Sequence, residues 1–511
     1  MQLVGLTRDE GTTLRHLASR QPGGVTLSRI LAAEPTASVL DAAPTWDPSV
    51  STTTVSDDSL GATLGEADLV YVEAASGAIL ETLAGLECTA ITAHPSLLPS
   101  FDGERPVETA LAADVRVTGA TVHLVTPGAD RQILTQEPVP LRPSDDVETL
   151  RTRVETDGVR PAAVRAVREL ATGGIEVNAT DGVSTTETGG FARQRIDSAG
   201  KVEDLRYGEN PHQEAALYAS DGSGPAGLVD APQVNAGAKG MSYTNYLDAA
   251  AGLDLVREFD RPAAALIKHA TPAGVATASD LETAYADALA TDPMSAFGGV
   301  VALNRPCDPE TAARIVESVK HVVVAPGYAD GSLDRLTERE NMRVIDANDL
   351  GDGAALEARP LVGGRLIQDR DRGGLSRGNL TTVTDREPTA AELETMLFAW
   401  RAVKHARSNG IVFANGRETV GIGGGQVSRV DAVEIAAKKA AEHAEGTSAE
   451  GAVMASDGFF PFPDGIEAAA DAGVDAVIQP GGSINDETVT ERADELNLAM
   501  VHTGRRCFRH G

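Results

Sequence analysis

Apolar and polar positions alternate in two periods along this chain. Short apolar runs at 69–72 and 120–125 read as buried strands, and residues 146–170 follow a helical period that Pro161 should break. The same alternation fills the second part. Strands are expected at 263–267, 300–303, 321–325, 410–414, 451–455, 474–478 and 500–502, with helices at 281–290, 309–319, 390–406 and 430–445. Alternating elements of this kind indicate an α/β fold. No short internal repeat is visible. Residues 172–199 are rich in Gly, Thr, Ser and Asp and poor in apolar residues, which reads as a flexible linker. The expected domains are therefore 1–171 and 200–511.

Composition narrows the function classes. A chain of 511 residues is expected to form two or three domains. Its formal net charge of -31 disfavours non-specific association with nucleic acid or anionic membranes. A small anionic substrate would then need a local basic pocket. No lysine precedes Lys201, and acidic residues are spread along the chain, a pattern suited to a salt-accumulating cytoplasm. Cys88, Cys307 and Cys507 are odd in number and far apart, so neither a disulfide framework nor a metal site is expected. The first residues lack the character of a signal peptide, and no stretch is long and apolar enough to span a bilayer. These features point to a soluble, cytoplasmic enzyme of small molecules, with no nucleic-acid or membrane partner.

Polar motifs gather at the ends of the expected strands, where α/β proteins place their chemistry. Arg206-Tyr207-Gly208-Glu209-Asn210-Pro211 comes first, and Lys268-His269 closes the strand beginning at Ala263. Met294-Ser295-Ala296-Phe297-Gly298-Gly299 precedes the next strand. Ser408-Asn409, the glycine-rich 421–425, Arg429, the run from Ser456 through Phe459, Phe460, Pro461 and Phe462 to Asp464, and the terminal Phe508-Arg509-His510 complete the set. Lys268 beside His269 would in isolation be an ordinary strand-end couple. Mechanistically, adjacent cations disfavour each other's charge, so His269 can serve as a base while Lys268 holds an oxyanion. Arg206 and Arg429 suit a phosphate, although either alone reads as a surface ion pair. Pro461 and Pro463 interrupt any strand, so Phe459, Phe460 and Phe462 read as a loop wall lining a pocket.

From about Asp204 to His510 these ordered motifs resemble the AICAR transformylase domain of the bifunctional purine enzyme. That domain formylates 5-aminoimidazole-4-carboxamide ribonucleotide (AICAR) with 10-formyltetrahydrofolate. The resemblance implies a pair of cytidine-deaminase-like α/β lobes and a homodimer with active sites at the subunit interface. It implies catalytic roles for Lys268 and His269, and for Asn409 a role in orienting the carboxamide. Nucleotide contacts would come from Arg206, Tyr207, Asn245, Gly298, Arg429 and Phe508. Folate-side positions would be Met294, Phe297, Phe459, Phe460, Pro461 and Asp464. His321 stands where an acidic residue is expected. No metal is implied, because the zinc-deaminase signature is absent. Nothing resembles the ring-closing cyclohydrolase that usually accompanies this domain, so that activity is not expected.

The first part carries a second constellation. Gly11-Thr12-Thr13 precedes a helical pattern, and its backbone N–H groups could cradle a phosphate, although a plain helix cap explains it equally well. His94-Pro95-Ser96-Leu97-Leu98-Pro99 follows a strand, and His94 with Asp130 could form a general acid–base pair. HPSLLP, Gly119 to His123 and Asp130 resemble the folate-dependent formyltransferases typified by glycinamide ribonucleotide (GAR) transformylase. The resemblance covers about 1–171 and implies a Rossmann-like domain. In it His94 and Asp130 would be catalytic, and Gly11, Thr12 and Thr13 would hold the substrate phosphate. Thr92 replaces the family's asparagine, Glu73 to Ile79 lack the arginine of its folate loop, and Arg131 disturbs the glycines after the aspartate. GAR formylation and a non-catalytic binding or structural module both remain open for this part.

Overall fold

A computed structural model of the protein describes residues 1–46, 49–56, 59–64, 67–86, 88–126, 131–178, 182–185, 190–192, 194–220, 227–235, 239–348, 350–351 and 355–510. The chain forms two compact units, Met1–Arg195 and Ile196–Gly511.

The first unit runs β1 (Gln2–Thr7), α1 (Thr12–Arg20), β2 (Thr26–Ala32), α2 (Val39–Trp46), β3 (Ser51–Thr54), α3 (Leu60–Leu64), β4 (Leu69–Val72), α4 (Gly77–Ala84), β5 (Thr89–His94), α5 (Pro106–Ala112), β6 (Val117–Leu124), β7 (Ile133–Pro140), α6 (Val147–Arg153), α7 (Arg160–Ala171), β8 (Ile175–Asn178) and β9 (Gly182–Thr185). Its sheet has the order β3-β2-β1-β4-β5-β6-β7. The first five strands are parallel, and β6 and β7 are antiparallel. The order reverses between β1 and β4, so the head of α1 lies at the topological switch point of a Rossmann-like sheet. Helices cover both faces, which explains why strands here are continuously apolar. On β4, Leu69 and Tyr71 join a core with Leu14, Leu17, Ala162 and Val167. Val70 and Val72 join Leu60, Leu64, Ile79 and Leu83 on the other face.

Two expectations are corrected here. The 146–170 helix does not break at Pro161. A π-helical turn, Val154–Val159, joins α6 to α7, and Pro161 lies in the first turn of α7. There its missing N–H costs the helix least. Part of the expected linker is also structured: β8 and β9 pair as a hairpin, and Ile175 is buried in the core of this unit.

The second unit contains β10 (Gly200–Leu205), β11 (Ala215–Ala219), α8 (Tyr243–Val256), β12 (Ala263–Lys268), β13 (Thr271–Thr277), α9 (Leu281–Ala290), α10 (Pro293–Ala296), β14 (Val300–Leu303), α11 (Pro309–Ile315), β15 (Val322–Ala325), α12 (Ser332–Thr337), β16 (Arg343–Asp346), β17 (Leu356–Leu361), β18 (Gly364–Asp369), β19 (Thr381–Thr382), α13 (Ala390–Val403), β20 (Ile411–Asn415), β21 (Glu418–Gly423), α14 (Arg429–Glu442), β22 (Ala452–Ser456), α15 (Asp464–Asp471), β23 (Val474–Gln479), α16 (Asp486–Glu495) and β24 (Ala499–His502). One sheet of eleven strands has the order β16-β15-β14-β12-β13-β21-β20-β22-β23-β24-β19.

That order contains a duplication, which periodicity alone did not show and the family resemblance implied as a pair of lobes. Helix α8 and the strands β12 to β16 form one lobe, and α13 and the strands β20 to β24 repeat its plan. In each lobe a helix leads into an antiparallel hairpin, and three further strands follow outward, parallel to one another. The hairpins meet at an antiparallel seam, β13 beside β21. Even the helix packing repeats. A β-carbon on Gly274 of β13 would lie 2.0 Å from the carbonyl of Ala288 in α9, and one on Gly423 of β21 would lie 2.0 Å from that of Ala432 in α14. Only glycine allows a helix so close to the sheet.

Strand direction then decides where the loops fall. The turn end of the β12–β13 hairpin, the amino ends of β14, β15 and β16, the amino end of β20 and the carboxyl ends of β21 to β24 share one edge of the sheet. The polar motifs lie along that edge.

Candidate active site

Lys268 and His269 sit where β12 turns into β13. His269 and Ala270 both have positive φ, 55° and 54°, forming the two-residue turn that joins paired Lys268 and Thr271. The Ala270 N–H donates to Asp248 Oδ1 at 2.6 Å, so α8 anchors the turn. Lys268 Nζ donates to the Phe297 carbonyl at 2.9 Å, which fixes the ammonium beside the 294–299 loop. Burial raises the Asp248 carboxyl, against the pull of the Ala270 N–H and of His269.

A basic cluster surrounds this turn. His321 lies against Gly298, whose φ is +71°. Burial lowers the His321 imidazole, and nearby Arg343 and Lys268 lower it further. Arg343 hydrogen-bonds the carbonyls of Lys239 and Gly240 through Nε, and burial, then the charge of Arg206, lower its titration. Arg206 stacks over the Tyr207 ring at 4.7 Å and donates to its hydroxyl at 2.9 Å. The expected pair Lys268–His269 and the expected anion contacts Arg206 and Tyr207 thus gather with three groups of unassigned role: Asp248, His321 and Arg343. Asn245 turns inward instead. It is 9% exposed, and its Oδ1 accepts from the Ser242 N–H in a capping box of α8.

The second half lies along the same edge, on the other lobe. Lys268 and Asn409 are three strand spacings apart, on the order of 14 Å. Arg429, at the head of α14, donates to Asp457 Oδ1 at 2.5 Å, Ser456 Oγ at 2.8 Å and Asn409 Oδ1 at 2.9 Å. Asn409 Nδ2 donates to the carbonyls of Gln426 and Val427. Ser408 Oγ donates to the other Asp457 oxygen and accepts from the Arg509 N–H at 3.0 Å, which ties in the chain end. A β-carbon on Gly458 would lie 2.5 Å from both Arg429 and the Phe508 ring, so the arginine fits only against glycine.

Beside these groups opens a cavity of about 480 Å³ lined by Asn409, Val427, Arg429, Phe459, Pro461, Phe462, Asp464 and Phe508, among others. Phe459 and Phe462 are exposed, whereas Phe460 borders the cavity with its ring buried in the core against Gly465. All three aromatic residues of the expected loop wall line the cavity, two of them exposed and Phe460 from within the core. Met294 and Phe297 are exposed beside the other half.

In the first unit, His94 closes β5 and its Nε2 lies 3.3 Å from the Phe101 carbonyl. Burial lowers this imidazole, and nearby Arg131 lowers it further. Thr92 donates its hydroxyl to the Val72 carbonyl, and Arg131 pairs with Asp102 at 2.8 Å. Asp130 lies outside the described residues. The phosphate-loop expectation meets an occupied site. Glu73, just beyond β4, accepts from the N–H groups of Thr13 and Leu14, and Thr12 and Thr13 direct their hydroxyls to Glu73 and Glu155.

Among the described residues no group of three His, Cys, Asp or Glu could hold a metal ion, and no helix is long and apolar enough to cross a membrane.

Residues 10–167 match the family described as formyl transferase. The chain is 47% identical over 320 residues to the bifunctional purine biosynthesis protein PurH of Magnetococcus marinus, covering 61% of this chain and 60% of that protein. It therefore spans about three-fifths of the length of this curated relative. Among solved structures, a phosphoribosylglycinamide formyltransferase from Anaplasma phagocytophilum is 26% identical, covering 37% of this chain and 96% of the other at a TM-score of 0.34. Glycinamide ribonucleotide transformylase 1 from Symbiobacterium toebii is 26% identical, covering 35% and 91% at a TM-score of 0.31. Residues 176–439, more than half of the chain and including both Lys268–His269 and Asn409–Arg429, match the AICARFT/IMPCHase bienzyme family, and the chain belongs to that family.

Proposed function

We propose that the second unit transfers a formyl group from 10-formyltetrahydrofolate to the 5-amino group of AICAR, in the purine route to IMP. The observation that carries this reading is the placement of Lys268, His269, Asn409 and Arg429 along one edge of one sheet, with Arg206 near Arg343 at the head of β16. The acceptor amine is aromatic and a poor nucleophile, so positioning should supply much of the rate. Arg206 and Arg343 offer a phosphate two guanidinium groups. Asn409, already oriented by Arg429, would align the carboxamide. His269 would take the proton as the amine attacks the formyl carbon, and Lys268 would stabilise the oxyanion of the tetrahedral intermediate. The cavity beside Phe459, Phe462 and Asp464 suits a pterin, with one flat apolar side and one polar rim.

The two halves of this site are apart within one chain, which favours a homodimer whose sites draw on both copies. The purified chain should formylate AICAR from 10-formyltetrahydrofolate in high salt, and no turnover there rejects the assignment. Mixing Lys268→Ala and Asn409→Ala chains tests the assembly. Activity returns only if the halves of one site come from different copies.

For the first unit, a second reading is favoured over GAR formylation: a non-catalytic binding or structural module. Thr92 stands in place of the family's asparagine, and its hydroxyl is turned into the sheet. GAR formylation that His94→Ala abolishes would reject this reading. Placement in the cytoplasm accords with the absence of a membrane-spanning helix among the described residues.

A further inference from the structure

We infer that Glu73 is the built-in occupant of an anion cradle at the head of α1, and that it holds the first unit closed to phosphorylated ligands. The inference concerns the first unit alone and does not depend on formyl transfer by the second. The cradle has the features that ordinarily take a phosphate: a helix of nine residues whose head meets the switch point of a parallel sheet, free of a side-chain cap from its own N-cap residue, Gly11. Its donors are already engaged. Glu73 Oε1 accepts from the Thr13 N–H at 2.8 Å and Oε2 from the Leu14 N–H at 3.1 Å. The Thr13 hydroxyl donates to Glu155 Oε1 at 2.9 Å, and the Thr12 hydroxyl lies within reach of both carboxylates.

Two further observations point the same way. Glu155 lies in the π-helical turn between α6 and α7, so a wide turn in an otherwise regular helix places a second carboxylate at the cradle. Asp9 accepts from the Thr7 hydroxyl at 2.8 Å and from the Gly11 N–H at 3.4 Å, which adds a third at the same turn. A phosphate would need Glu73 to leave and would then face Glu155 and Asp9. Glu73 itself replaces the missing anion. Its carboxylate satisfies the helix head and complements its dipole, as a ligand phosphate does in an open site. Burial raises this carboxyl, and the hydrogen bonds from Thr13, Leu14 and Thr12 oppose that shift by favouring the carboxylate.

The test uses the full chain labelled with 5-fluorotryptophan. The chain has two tryptophans, Trp46 and Trp400, assigned here by Trp46→Phe. A β-carbon on Gly11 would lie 3.2 Å from the Trp46 ring, so its fluorine signal reports on the cradle, while Trp400 is buried in the other unit. Inorganic phosphate and ribose 5-phosphate are titrated in turn. The native chain should leave the Trp46 signal unmoved, and Glu155→Gln, which keeps both Glu73 hydrogen bonds to the helix head, should do the same. Glu73→Ala with Glu155→Gln should show a saturable shift with affinity at least about tenfold above native. If that chain fails to fold, Glu73→Gln is titrated in its place and should also bind more tightly than native. A saturable Trp46 shift in the native chain overturns the inference. So does a folded variant, with its Trp400 signal intact, that still ignores both phosphates.

Discussion

Arg429 and Asp457 form a buried ion pair, 2.5 Å between Nη1 and Oδ1, with side chains 8% and 0% exposed. Removing one partner of such a pair strands the other, at a cost of about 3–5 kcal/mol. Asp457→Asn should lower the denaturant midpoint of the second unit and release Asn409, whose Oδ1 Arg429 holds. AICAR KM should rise and kcat fall together. A variant with native stability and native KM would show that the pair does not position Asn409.

His269→Ala should cut AICAR turnover by about 10²–10⁴ while nucleotide binding survives. Lys268→Ala should cost about 10²–10³ in kcat, the scale of one lost oxyanion donor. Calorimetry of AICAR binding beside steady-state rates separates the two effects, and equal loss of binding and rate would argue for a structural role of the turn.

His405 supplies a pH prediction. Its ring lies 3.3 Å from Glu258 through Nε2 and 3.1 Å from Arg509 through Nδ1. Burial lowers its titration, Arg509 adds to this, and Glu258 opposes it. The folded state therefore binds the proton less readily than the unfolded one, and stability rises with pH. The contribution is full above the unfolded value of about 6.5 and is lost as pH falls towards the folded one. Chemical denaturation at about pH 7.5 and 5.5 should show a steeper loss for the native chain than for His405→Gln. Identical slopes would place the titration elsewhere.

The exposed Phe462 and Met294 should act on the folate side. Phe462→Ala or Met294→Ala should raise the KM for 10-formyltetrahydrofolate by about tenfold, the scale of one apolar contact, with AICAR KM unchanged. A shift confined to AICAR would reverse the assignment of the two sides.

The strands were legible because Ala263 to Ile267, Val300 to Leu303 and Val474 to Ile478 are apolar runs covered on both faces. Helices were legible from their period, and at the head of α13 the structure adds a capping box of Thr389 and Glu392. Lys268, His269 and Asn409 stood out through motif order. Asp248 and Arg343 did not, because each is a lone charge whose partners come from remote segments. Nothing in the local sequence foretells that Glu73 reaches the head of α1, since 60 residues separate it from Thr13. Part of the linker was misread because composition counts polar residues but cannot see that one isoleucine, Ile175, finds a core.

The pair of lobes was legible only through the family resemblance, because no short internal repeat marks it in the sequence. The seam between β13 and β21 relates the lobes by a half-turn that exchanges the two edges of the sheet. Lys268 and His269 occupy the hairpin turn of one lobe, whereas Asn409 and Arg429 occupy the open end of the other. The candidate site residues of the two lobes therefore do not occupy matching places. The matching turn, Asn415 to Arg417, faces the opposite edge, away from Lys268, His269, Asn409 and Arg429. An insertion, nick or fusion at that turn should therefore leave AICAR turnover intact.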